Sequence, residues 1–165
     1  MHLKGSEIVI KMNKKMEDII DYFNMDGELN YNSPNLIELI NPCFIEIGDC
    51  ILRKETNNKI EELPTGTNND RTGFEASYSH IHMIDYEEDF PLKTFEGFYF
   101  FLKLVGKWSR CLKDSFPNYE FHIILTFDSK DCTLRFHKLR NNELPWVDID
   151  NLNDFKEVAI LVNIV

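Results

Sequence analysis

Apolar and polar positions alternate with a period of two from Tyr119 to Asp128 and, after the polar turn DSKD, again from Cys132 to Arg140. That pattern predicts an antiparallel hairpin. A four-residue loop sets Phe127 against Cys132, so Leu125 meets Leu134 and Ile123 meets Phe136 on one face. On the other face Thr126 meets Thr133, Ile124 meets Arg135 and His122 meets His137. The apolar set falls on one side, as a half-buried antiparallel pair requires.

The period changes to that of a helix between Thr94 and about Phe116, where Pro117 ends it. Phe95, Phe98, Phe101, Leu102, Leu104, Val105, Trp108 and Leu112 occupy most of its circumference, which predicts a centrally packed helix. Gly97 and Gly106 weaken it and mark places of close approach. Helical spacing recurs over 14–25, with Met16, Ile19, Ile20 and Phe23 on one stripe. Ser33-Pro34 supplies a cap and a first-turn proline for a short helix over Asn35–Ile40.

Strands are expected elsewhere. Asn57-Asn58 reads as the turn of a hairpin between Asp49–Glu55 and Lys59–Leu63, pairing Lys54 with Glu61, Arg53 with Glu62 and Leu52 with Leu63. Residues 64–72 read as a loop. Alternation through Phe74, Ala76, Tyr78, His80 and His82 predicts a long strand over Gly73–Asp85. Residues 1–11 form a short strand or a ragged terminus, one helical turn is expected from Asn151, and Val158–Val165 reads as a final buried strand.

These elements predict one α+β domain over residues 1–165. A mainly antiparallel sheet combines the 49–63 hairpin, the 73–85 strand, the 119–139 hairpin and the last strand. One long central helix and shorter N-terminal helices pack on it. The expected core includes Phe95, Phe98, Leu102, Val105, Ile123, Leu125, Leu134 and Phe136.

Composition narrows the function. The chain is 43% hydrophobic and 13% aromatic, enough to fill a core, and carries a net charge of −10. Such a balance disfavours nucleic acid and anionic membranes and suits a basic protein partner. Cys43, Cys50, Cys111 and Cys132 form no CxxC and no zinc-ligand spacing, so free thiols in a cytoplasmic protein are expected. No secretory leader or membrane span is read from the sequence.

Two groups of residues carry candidate chemistry. One is acidic: Asp85, Glu87, Glu88 and Asp89, and then Glu143, Asp148, Asp150, Asp154 and Glu157 around Trp146. An aromatic residue among carboxylates suits a protein interface, with energy from the ring and steering from the charges. The other is a sheet face. His80 and His82 share one side of a strand, and His122 lies across from His137. If the two strand systems are neighbours, these imidazoles and Arg135 converge. Imidazoles could hold a metal there, or Arg135 with the Thr126 and Thr133 hydroxyls could hold an anion. No nucleophile elbow, phosphate loop or cofactor fingerprint is present.

The stretch Thr133–Val162 is similar to a C-terminal run in small acidic bacterial immunity and antitoxin-type proteins of toxin systems. The shared features are Leu134-Arg135-Phe136, Arg140, Glu143, Trp146, an acidic segment and a terminal apolar strand. The resemblance implies a cytoplasmic protein that neutralises a toxin by covering it. The leading reading is therefore a non-catalytic protein-binding domain, concretely an immunity-type inhibitor occluding a basic toxin. The alternative is a small-molecule or metal-binding enzyme using the histidine/arginine face. Neither the partner's identity nor the oligomeric state is read from the sequence.

Overall fold

The 121–127 and 132–138 segments do pair through the expected register, Phe127↔Cys132 to His122↔His137. The computed structural model describes residues 8–23, 34–55, 60–86 and 94–165. Within them the elements run β1 (Val9–Met12), α1 (Lys14–Phe23), α2 (Pro34–Ile40), β2 (Phe44–Ile47), β3 (Cys50–Arg53), α3 (Arg71–Tyr78), β4 (Ile81–His82), α4 (Thr94–Ser115), β5 (Phe121–Phe127), β6 (Cys132–Lys138) and β7 (Ala159–Ile164). The fold is α+β: a five-stranded sheet ordered β1-β7-β5-β6-β4, antiparallel at each pairing, and a separate β2-β3 hairpin.

One face of the large sheet is apolar because Phe121, Ile123, Leu125, Leu134, Phe136 and Leu161 alternate onto it. The helix α4 covers that face with Phe98, Phe101, Leu104, Val105, Trp108 and Leu112, all buried. Met16 of α1 and Leu36 and Leu39 of α2 close the same core. Trp108 donates its indole N–H to the Leu39 carbonyl, which satisfies the one polar atom the ring brings inside. The other face is covered by the chain between β6 and β7, through Val147, Ile149 and Leu152 over Ile124, Ile160 and Val162.

Several sequence expectations are corrected. Residues 73–85 are not one strand but α3, then β4, then a 3-10 turn over Met83–Tyr86. Phe74 and Tyr78 suit a helix as well as a strand, being four residues apart, and they stack at 5.9 Å. Asp70 decides the matter locally by capping, its carboxylate accepting from Gly73 N at 2.7 Å. Buried Thr72, Glu75, Ala76 and Ser79 then follow helical spacing.

The strand β3 pairs with β2 and, among the described residues, not with 60–63. Gly48 (φ 53°) and Asp49 (φ 70°) supply the two left-handed residues of a tight turn and set Phe44↔Arg53. Arg53 is not at an exposed cross-strand site facing Glu62. It is buried near Trp108 and bonded to Glu55. The Asn57-Asn58 turn and Ser33 lie outside the described residues. Among the described residues the large sheet includes neither β3 nor 60–63, so the expected 49–63 hairpin is not part of it there. Phe95, expected in the core, is 45% exposed. Gly97 does mark a close approach, but to the Met83 thioether rather than to a strand.

A buried carboxylate joins the hairpin to the large sheet. Glu75 of α3 accepts from Ile51 N (2.7 Å), Lys138 N (2.8 Å) and both terminal nitrogens of Arg140 (2.8 and 2.9 Å). Arg140 also donates to the Asp49 carbonyl, and Asp49 pairs with Lys138 and Arg71. Ser79 extends the link by donating to Phe136 O and accepting from Phe136 N. That bond lays the end of α3 alongside β6, so β4 pairs there as Ile81↔Leu134 and His82↔Thr133.

Candidate functional site

Because β4 joins β6, the two histidine groups do reach one sheet face, on either side of Arg135. The Arg135 Nη2 donates to His80 Nε2 at 2.8 Å. Since the guanidinium cannot accept, His80 is neutral at that nitrogen and carries its proton on Nδ1. Burial first, and then the nearby Arg135 and His82 charges, push the His80 pKa down to about 4. The His80 and His82 rings lie 4.2 Å apart, and His82 Nδ1 bonds Asp131 at 2.6 Å.

On the other side, the Trp146 ring lies under the Arg135 guanidinium at 5.1 Å. Trp146 is itself positioned by its backbone N–H, which donates to His137 Nε2 at 3.2 Å. His137 and His122 meet edge to face at 5.1 Å, both buried. Burial lowers the pKa of each to about 4, so this pair is neutral packing beneath the face rather than a charged site. The Thr126 and Thr133 hydroxyls bond each other at 2.6 Å.

Arg135 is therefore a half-buried cation held between a neutral imidazole and an aromatic ring. Among the described residues no carboxylate lies within ion-pair distance of it, and burial lowers its pKa. A partly desolvated guanidinium without a counter-ion favours an incoming anion. Metal chemistry has less to work with. His80 and His137 each accept a hydrogen bond at Nε2, and among the described residues no three His, Cys, Asp or Glu side chains are placed to hold a metal ion.

The acidic residues are distributed differently from the histidines. Glu143 turns inward to α3, accepting from Thr72 N and Thr72 Oγ1 (both 2.8 Å) and from Arg71 Nε (2.9 Å). Burial alone would raise its pKa, but these hydrogen bonds hold it at about 2. Asp148 caps its own turn through Asp150 N and Asn151 Nδ2, and Asp150 pairs with Lys11 at 2.7 Å. Asp85, Asp154 and Glu157 are exposed. Glu87, Glu88 and Asp89 lie outside the described residues.

Thiol chemistry is poorly served at the buried cysteines. Burial, then Glu75, raises Cys50 to about 11, and burial raises Cys132 well above its usual range. The Glu75–Arg140–Asp49–Lys138–Arg71–Glu143 network was missed from sequence. It brings three carboxylates to three cations, so its charges are spent on one another.

A family model described as the Uncharacterized protein PM0498 family matches residues 11–165. The chain belongs to that family. The match spans α1 to α4, the sheet from Lys11 of β1 onward, and each described residue around Arg135. No curated protein and no solved structure matches the chain. Among the described residues of this family member, no helix is long and apolar enough to cross a membrane.

Proposed function

We propose that this protein is a non-catalytic binding protein that captures a small anionic molecule, one bearing a phosphate or carboxylate, at Arg135. The observation carrying the reading is a half-buried guanidinium with no carboxylate partner among the described residues, braced by His80 and Trp146. Arg135 would supply the charge-assisted bonds and His80 Nδ1–H a further donor. The exposed part of the Trp146 ring offers a flat wall beside them. A histidine with a pKa near 4 is a weak proton acceptor at neutral pH, which favours binding over acid–base chemistry. Four free cysteines suit a reducing, cytoplasmic setting.

Trp146 gives the test its signal, with buried Trp108 as a constant background. Titration with inorganic phosphate is expected to change Trp146 emission saturably. Arg135→Met should weaken that response by about tenfold or more, the value of a charge-assisted bond. No saturation in the wild type, or an undiminished response in the variant, sinks the reading.

A second reading, occlusion of a basic protein as immunity-type proteins do, has its own support. Leu144 is 88% exposed and Trp146, two residues on, is 43% exposed. With a net charge of −10, this apolar edge suits a basic partner. Affinity capture with stepwise salt elution separates the two readings. One basic protein released at moderate salt, and lost on Trp146→Ala, supports occlusion; its absence beside a saturable phosphate response supports the small anion.

A further inference from the structure

The opposite face of the sheet holds a second feature. Between the second half of α4 and the β1–β7 edge lies a cavity of about 530 Å3, within the range of small-molecule sites. Its walls are apolar: Leu102 and Val105 from α4, Leu161 and Val165 at the β7 side, and Ile8 and Ile10 at the edge.

Three observations set it apart from a packing gap. Gly106 lines it at the exposed mouth, and a Cβ built there would meet no atom of the described residues within 4 Å. Glycine weakens a helix interior, and no described neighbour requires it here, so a larger side chain would reach into the space that glycine leaves open.

Asn163 also lines the cavity, is 3% exposed, and has an Oδ1 with no hydrogen-bond partner among the described residues. The orientation of that amide follows from proton counting. Ser109 donates its single hydroxyl proton to Val105 O at 2.6 Å, so its Oγ accepts from Asn163 Nδ2 at 2.5 Å. Oδ1 is left as a buried acceptor, a costly state unless a donor reaches it. Arg110, Lys113 and Asp114 form the rim, with cations outnumbering the carboxylate.

We propose that this cavity binds a small amphipathic acid. Its apolar body would fill the space beside Gly106, an N–H or O–H donor would meet Asn163, and its anionic head would lie at Arg110 and Lys113. The site is independent of the Arg135 face, because Asn163 and Arg135 alternate onto opposite sides of the sheet.

Anilinonaphthalene sulfonate combines an apolar body, an N–H donor and an anionic head, so it is a suitable probe. The native protein is expected to enhance its fluorescence saturably with one site. Gly106→Leu should weaken binding by about tenfold or more by occupying the cavity, and Asn163→Leu by about tenfold through the lost acceptor. Amide shifts in the wild-type protein give a check independent of how any variant folds. They are expected over Val105–Asp114 and Leu161–Val165. No saturable enhancement, undiminished binding by folded Gly106→Leu protein, or shifts centred on Arg135 and Trp146 would overturn the proposal.

Discussion

Glu75→Ala is expected to lower stability by about 5 kcal/mol or more, enough to unfold much of the population at room temperature. The carboxylate is fully buried and receives four hydrogen bonds, two from Arg140 and two from the backbone at Ile51 and Lys138. Truncation leaves the Arg140 charge, 5% exposed, without its principal partner, at a cost of about 3–5 kcal/mol. Two backbone donors lose their acceptor as well, at about 1–3 kcal/mol each.

Glu75→Gln keeps the shape and one acceptor, so it should lose less. Adding Arg140→Met to Glu75→Gln should recover part of that loss, because the pair then leaves no lone charge. Denaturant midpoints for the three variants check this. A Glu75→Ala midpoint within about 1 kcal/mol of wild type would show that the network is dispensable.

Acidification is the second large effect. The buried His122 and His137 have folded pKa values of about 4, below the ordinary 6.5, because burial penalises their charged forms. His80 shifts the same way. Below pH 6.5 the unfolded chain takes up protons that the folded chain refuses. Stability is thus fully present above about pH 6.5 and is lost as pH falls from there toward 4. Across that interval each buried histidine contributes on the order of 3 kcal/mol.

The denaturant midpoint should therefore fall steadily between pH 6.5 and 4.5, and less steeply in His122→Leu. Glu143, held at about 2, contributes stability above its unfolded value of 4.5 and loses it only below that, so its window lies lower. Protonation of folded His137 removes the acceptor of the Trp146 N–H, so Trp146 emission of the folded protein should change near pH 4, below most of the range in which the midpoint falls. A flat midpoint from pH 7 to 4.5 would mean that the imidazoles take up protons in the fold as readily as in the unfolded chain.

The parts that sequence alone made legible share a physical cause. In β5–β6 the turn length and a clean period of two leave one register that buries the apolar set, and a slip of one residue would reverse the faces. The same register placed His122 across from His137 and Arg135 on their face. The α4 pattern was too apolar and too long for anything but a central helix. Ambiguity entered where the local signal was short. Phe74 and Tyr78 satisfy both periods, and Arg53 has charge partners on paper at Glu62 and in the fold at Glu55.

Sequence therefore determined the period-driven elements: the β5–β6 register, the long helix, the final strand and the α+β class they imply. Their free energies are local or depend on one buried face, and the residues that decide them lie close along the chain. Tertiary structure decided the rest. It chose α3 over a strand through the burial of Glu75, which adds to the local Asp70 cap, and it left β3 paired with β2 and not with the described 60–63. It also set β4 beside β6 through Ser79, which makes a site of His80 and Arg135. The α3 and β4 choices rest on a carboxylate and a hydroxyl meeting groups 24 to 65 residues away, pairings that no local period records.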